Sequence, residues 1–191
     1  MTRFFWATVL LFIGLFVGCS SSTTSSPDTA ETTKTSEEGG MSSASSVTIE
    51  LADPTEKEPV SWGAALDRNS LAAGDTALLV IRAKILDGWH IYAAEGETGV
   101  GTQTKLNLTL PDGIEMGEWS LPIAKVKEST LGDRISHHKK LATFSIPVTV
   151  SSDATAQEAS IVCDVDFQSC TDRGCLAPTS KQLTIPVSVT N

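Results

Sequence analysis

From Val60 to the C-terminus, hydrophobic and polar residues alternate with period two. Phe144, Ile146, Val148 and Val150 oppose Thr143, Ser145, Pro147 and Thr149. Ile161, Cys163, Val165 and Phe167 fall on one face, with Asp164, Asp166 and Gln168 on the other. Such alternation marks half-buried strands. The pattern predicts strands at Val60 to Leu66, Thr76 to Leu86, Trp89 to Ala93, Lys105 to Leu110, Leu141 to Val150, Ala159 to Phe167 and Gln182 to Val189. Turn signals separate them at Ala73-Gly74-Asp75, Asp87-Gly88 and Pro111-Asp112-Gly113. No segment keeps a helical period over three turns. About seven strands at this spacing predict an all-β fold, an antiparallel β-sandwich of immunoglobulin type. Pro147 and Pro186 suit edge strands or bulges, since proline has no N–H for the ladder. Trp62, Trp119 and Phe144 are expected in the core.

The N-terminus reads differently. Arg3 precedes an apolar run from Phe4 to Val17, too short for a membrane span, which needs about 20 residues. A charged start, an apolar middle and a small residue before the cut describe a secretory signal over residues 1–18. The segment Phe16-Val17-Gly18-Cys19 resembles a bacterial lipobox, departing from it at Phe16, where Leu is usual. That resemblance implies that the Cys19 thiol takes a lipid and becomes the mature N-terminus. Between Ser20 and Ser46, 16 of 27 residues are Ser or Thr, too few apolar groups to offset the entropy of ordering. Residues 19–46 are therefore expected to be the lipidated cysteine and a disordered tether. A coil of this length reaches roughly 30 Å, placing a domain of residues 47–191 in the cell envelope, just off a membrane.

The remaining 145 residues or so are enough for one domain with a full core. A net charge of −9 argues against nucleic acid and anionic headgroups as partners. Export places the cysteines where disulfides persist. With Cys19 lipidated, Cys163, Cys170 and Cys175 remain, an odd number.

Cys170 and Cys175 flank the turn Thr171-Asp172-Arg173-Gly174, in which Gly174 is free to take a positive φ. A link between them would close a ring of six residues, stabilising the fold by only about 2 kcal/mol. The pair is placed poorly for stapling and well for reacting, although a permanent hairpin clip remains the other reading. Exchange needs a thiolate, access and a second thiol to resolve the mixed disulfide. Arg173 or His90 would favour a Cys175 thiolate if either approaches, and Asp172 would oppose it.

These residues add up to a resemblance. Leu71-Ala-Ala-Gly74-Asp75-Thr76, Leu86-Asp87-Gly88-Trp89-His90-Ile91-Tyr92, Leu108-Thr-Leu-Pro111-Asp112-Gly113 and Phe167-Gln168-Ser-Cys170-Thr-Asp-Arg-Gly-Cys175-Leu-Ala-Pro178 occur in that order. Together they resemble the N-terminal periplasmic domain of the thiol:disulfide interchange protein DsbD, from about Val60 to Val189. The last element, an aromatic residue, Gln168, Cys170, a short turn, Cys175 and a proline, is the most specific. The resemblance implies an immunoglobulin-like domain acting as a protein-disulfide reductase relay. A DsbD- or CcdA-like membrane donor would reduce the pair, which would then reduce exported thioredoxin-fold proteins, including cytochrome c maturation factors. It implies Cys175 as the attacking thiol and Cys170 as its resolving partner, with His90 and Tyr92 lining the site. No membrane or thioredoxin-like segment follows Asn191, so the donor is expected on another chain. Known members cover the pair with a cap loop carrying Phe. The corresponding region here, Lys125 to Lys140, has none, leaving Leu131 or Ile135 as the apolar cover.

Bland readings stand beside these. Cys163, on an apolar face, reads as a buried inert thiol. His90 is a packing histidine or a proton donor and acceptor. His137 and His138 read as part of a solvated loop. Adjacent strand histidines point to opposite faces, and Cys-x6-Cys-x4-Cys matches no usual zinc module, so neither metal nor cofactor is expected. Two other functions compete with the relay: a non-catalytic immunoglobulin-like lipoprotein with a structural disulfide, and an exported copper-handling protein.

Overall fold

A computed structural model describes Ala44, residues 46–128 and residues 132–190. The signal segment, Cys19, nearly all of the tether and Leu131 lie outside these described residues.

Among the described residues there are twelve strands and no helix. β1 (Val60–Leu66), β3 (Thr76–Ile85), β9 (Leu141–Val150) and β6 (Ile114–Met116) form one sheet in the order β1-β3-β9-β6. β2 (Ser70–Ala72), β12 (Thr179–Thr190), β10 (Gln157–Phe167) and β5 (Lys105–Thr109) form a second, ordered β2-β12-β10-β5. All pairings within these sheets are antiparallel except β2 with β12. The predicted alternation supplies the core. Leu79, Ile81, Phe144, Ile146 and Val148 from the first sheet are buried in one cluster with Ile161, Cys163, Val165, Ile185 and Val187 from the second. Two sheets closed over one apolar layer make an immunoglobulin-like sandwich. Trp62 and Phe144 are in this core, and Trp119 packs against it half-buried.

The seven expected strands are present, several with shifted ends. β10 and β12 run longer than their apolar alternation because polar pairs continue the ladder on the exposed face. Ser180 Oγ donates to Asp166 Oδ1 in the added start of β12, and Ser188 Oγ to Glu158 Oε1 at 2.5 Å in the added start of β10. At the Asp87-Gly88 turn Gly88 adopts φ 86°, a conformation that favours glycine, and the Trp89 N–H closes on the Leu86 carbonyl at 3.0 Å.

Pro147 departs from expectation, because β9 is an interior strand. Its carbonyl accepts the Gly117 N–H at 2.9 Å, so its bare nitrogen faces the same side, just where β6 has ended at Met116. Pro186 is exposed on the stretch of β12 that precedes its pairing with β2, a free edge.

The outer face of the first sheet is covered locally. Arg82 donates to the Val47 and Ala44 carbonyls at 2.7 and 2.6 Å. A Cβ on Gly63 would stand 2.7 Å from Ile49 Cγ2 and 2.8 Å from Leu51 Cδ2, so a side chain there would force those methyls to shift.

A third sheet, ordered β11-β4-β8-β7, carries the chemistry. It comprises β11 (Ser169–Cys170), β4 (His90–Tyr92), β8 (Arg134–His138) and β7 (Lys125–Glu128). The region expected as a loop over Lys125 to Lys140 is thus largely a β7–β8 hairpin. Its alternation was not legible because both faces of β8 are buried, from Ile135 through His138.

Candidate functional site

The cysteine pair interrupts the β10–β12 hairpin. Phe167 ends β10 in the sandwich core and still pairs with Thr179. At Gln168 the chain changes sheets, and Ser169 and Cys170 pair with Ile91 and His90 of β4. The chain then reverses over residues 171–174. The Thr171 N–H donates to the Gly174 carbonyl at 2.8 Å, and the Arg173 N–H to Thr171 Oγ1 at 3.2 Å. Gly174 does not use its freedom to take a positive φ; these Thr171 bonds shape the reversal. Cys175 returns opposite Cys170 in an antiparallel bridge, with Cα atoms 4.0 Å apart, and the two are joined as a disulfide. The Leu176 N–H completes the excursion on the Ser169 carbonyl at 2.9 Å.

The two sulfurs differ in surroundings. Cys170 is 1% exposed and packs in a small cluster with Tyr92 and Ile135, whereas Cys175 is exposed. Ile135, one of the two residues expected to replace the Phe cover, therefore lies against the buried cysteine. Leu131, the other, lies outside the described residues.

His90 and Tyr92 share one face of β4, as alternation required, while Ile91 enters the main core. His90 is the cross-strand partner of Cys170, and opposed residues in an antiparallel pair present side chains to the same face. The Tyr92 hydroxyl lies 3.9 Å from Cys175 Sγ. Thr104 Oγ1 holds the strand from the other side, donating to the Tyr92 carbonyl at 2.6 Å. Gln168 bridges two segments: its Oε1 accepts the Thr102 N–H at 2.9 Å and its Nε2 donates to the Leu176 carbonyl at 3.0 Å.

Arg173 is exposed, and among the described residues its guanidinium forms neither an ion pair nor a hydrogen bond to either sulfur. Asp172 is turned to Lys127 of β7, with Nζ to Oδ1 at 2.7 Å, and that bond and charge hold its carboxyl below the usual range. Leu176 is 43% exposed beside the pair.

His137 and His138 are not in a solvated loop. They are 4% and 5% exposed on β8 and point to opposite faces. His138 meets Phe144 edge-on at 6.0 Å, and His137 meets His90 edge-on at 5.3 Å between ring centroids. Burial pushes His90 down to about 4, reinforced by Lys127, His137 and Lys139 and opposed by Asp172. Burial also depresses His137 and His138. Cys163, fully buried in the core, has its thiol pushed up to about 12 by burial and by Asp164. Among the described residues no group of three His, Cys, Asp or Glu is arranged to hold a metal ion. Lys127 and Thr102 escaped the sequence reading, and His137 was expected in solvent, since each reaches the site only through tertiary pairing.

Residues 56–186 match the family model described as thiol:disulfide interchange protein DsbD, N-terminal. Among solved structures, the N-terminal periplasmic domain of ScsB from Proteus mirabilis is similar in fold, with a TM-score of 0.51 and 16% identity. That likeness covers 70% of this chain and 49% of the other, so the chain spans about half the length of that structure. The reduced DsbD N-terminal domain of Neisseria meningitidis aligns with a TM-score of 0.41 and 19% identity, over 58% of this chain and 77% of that one. The same organism's DsbD N-terminal domain in complex with the PilB N-terminal domain gives 0.40 and 16%, over 56% and 73%. No curated protein matches the sequence. Because the family model runs from before the first strand of the sandwich into its last, the chain belongs to the DsbD N-terminal domain family.

Proposed function

We propose that this protein is an exported thiol:disulfide oxidoreductase that relays electrons through Cys170 and Cys175. A membrane donor reduces the pair, and the pair reduces thioredoxin-fold proteins in the periplasm. Lipid on Cys19 and the Ser/Thr-rich tether hold the domain of residues 47–191 at the membrane. The reaction is a two-step exchange. The Cys175 thiolate attacks a disulfide sulfur of the partner, and a partner thiolate leaves. Cys170 then attacks Cys175 Sγ, closing the ring and releasing the partner as a dithiol. Two electrons pass to the partner.

The observation that carries this reading is the asymmetry of the pair: an exposed Cys175 linked to a Cys170 that is 1% exposed. One sulfur is open to a partner, and the other is kept from side reactions yet within bonding distance. Lining roles fall to His90 beside Cys170, Tyr92 beside Cys175, and Gln168, which ties down the segment after Cys175.

The test is the redox equilibrium of the full chain against glutathione buffers, read by thiol alkylation and mass spectrometry. A reversible couple between about −120 and −270 mV is expected, the range of exported thioredoxin-fold proteins. A disulfide still closed well below about −300 mV would make it a structural clip and end the relay reading.

A further inference from the structure

One imidazole stands across the strand pair from the buried sulfur, and a second meets it edge-on. His90 and His137 are 2% and 4% exposed, and the Nδ1 of each is buried without a hydrogen-bond partner. An unsatisfied buried polar atom costs about 1–3 kcal/mol, so two together beside a reactive pair call for an explanation. His90 stands opposite Cys170, and opposed residues have Cβ atoms about 4.5–5.5 Å apart. The titratable and charged groups around it are Tyr92 on its own strand and Asp172 on the cysteine turn. His137 and Lys139 come from β8 and the turn after it, and Lys125 and Lys127 from β7.

Whenever the disulfide opens, Cys170 becomes a thiol or thiolate away from water. Burial disfavours the charged form of a thiol, and a sulfur kept from water attacks well only with a base beside it, and leaves well only with an acid beside it.

We propose that His90, with His137 edge-on behind it, carries the proton of the Cys170 sulfur as the disulfide closes and opens. The inference rests on the exchange reading above. In closure the proton passes from Cys170 Sγ to an imidazole nitrogen of His90. The sulfur's electron pair forms the bond to Cys175 Sγ. The bond from Cys175 to the partner sulfur breaks, and the partner leaves as thiolate with that electron pair. The imidazolium gives its proton to the departing thiolate or to water. Opening runs the same steps backwards, with the imidazolium protonating Cys170 as it leaves. With its proton affinity depressed by burial, His90 is neutral at pH 7 and has a lone pair to offer.

Oxidised glutathione serves as the probe, on the reduced full chain in a Cys19→Ser background. Acid quenching, alkylation and mass spectrometry separate attack, which forms a Cys175–glutathione adduct, from resolution, which releases it. In His90→Phe and His90→Gln the ratio of resolution to attack is expected to fall roughly tenfold or more at pH 7. Resolution should then rise with hydroxide where the parent shows a plateau. The Gln variant keeps a polar side chain of similar size, so agreement between the two separates proton transfer from packing. An unchanged ratio and pH profile in both would overturn the role of His90. A parent that forms no adduct would overturn the exchange reading beneath it.

Discussion

The Tyr92 hydroxyl lies 3.9 Å from Cys175 Sγ, and Gly101 lies close against the same ring. A Cβ at Gly101 would stand 2.0 Å from Tyr92 Cζ and 2.1 Å from Cε2. Tyr92 is 6% exposed and packed with Cys170 and Ile135, so displacing its ring disturbs the surroundings of the disulfide. Gly101→Ala is therefore expected to cost about 1–3 kcal/mol, as overpacking does, and to speed reduction of the disulfide by a small phosphine. Urea melts and reduction kinetics check this. Wild-type values for both would show that the loop yields freely and that Tyr92 is not wedged.

The asymmetric pair makes a second prediction. Cys170→Ser leaves the exposed Cys175, and Cys175→Ser leaves a thiol that is 1% exposed. Reaction with a soluble aromatic disulfide at pH 7.5 is expected to be at least about tenfold faster in Cys170→Ser, because thiol reactivity follows access and thiolate fraction. Equal rates would mean that the buried sulfur is uncovered by motion and would reopen the assignment of the attacking cysteine.

Acid should weaken the fold before its carboxylates titrate. An unfolded imidazole titrates near 6.5, while burial holds His90 near 4 and depresses His137 and His138. Between these values the unfolded chain binds protons that the folded chain refuses. Stability therefore falls as pH drops through that window and is recovered above it. For His90 the loss is on the order of 3 kcal/mol at most. Urea denaturation of the oxidised chain at pH 7.5, 6, 5 and 4.5 should show the slope, and His90→Gln should flatten part of it. A flat profile from pH 7 to 4.5 would contradict buried neutral histidines.

The sandwich was legible where one strand face carries large apolar residues and the other small or polar ones, as in β1 and β9, whose limits match expectation residue for residue. It was illegible at β8. Arg134-Ile-Ser-His-His has no period-two contrast, because the disulfide face and the core face are both covered there. β2, β6 and β11, at two or three residues each, are too short to carry a pattern. In the site, the signature pointed to Cys170, Cys175 and the β4 face of His90 and Tyr92. It could not place His137 beside His90, nor turn Asp172 to Lys127, since those neighbours come from strand pairing across a long stretch of chain.

Gln168 offers a test of how the cysteine loop is held. Its amide joins two segments by opposite ends, accepting from Thr102 N–H and donating to the Leu176 carbonyl. Gln168→Ala removes both bonds. Since Leu176 is 43% exposed, its carbonyl can turn to water, and the cost should be about 1–2 kcal/mol. Gln168→Glu separates the two ends. A carboxylate still accepts from Thr102 but sets an oxygen against the Leu176 carbonyl. Hydrogen exchange at the Thr102 amide should be slow in the wild type and in Gln168→Glu, and fast in Gln168→Ala. Exchange at Leu176 follows a different bond, to the Ser169 carbonyl. Its protection should drop in both variants as the segment after Cys175 loosens. If Thr102 stays protected in Gln168→Ala, the loop is held by packing on Tyr92 alone, and the bridge has no part in fixing the site.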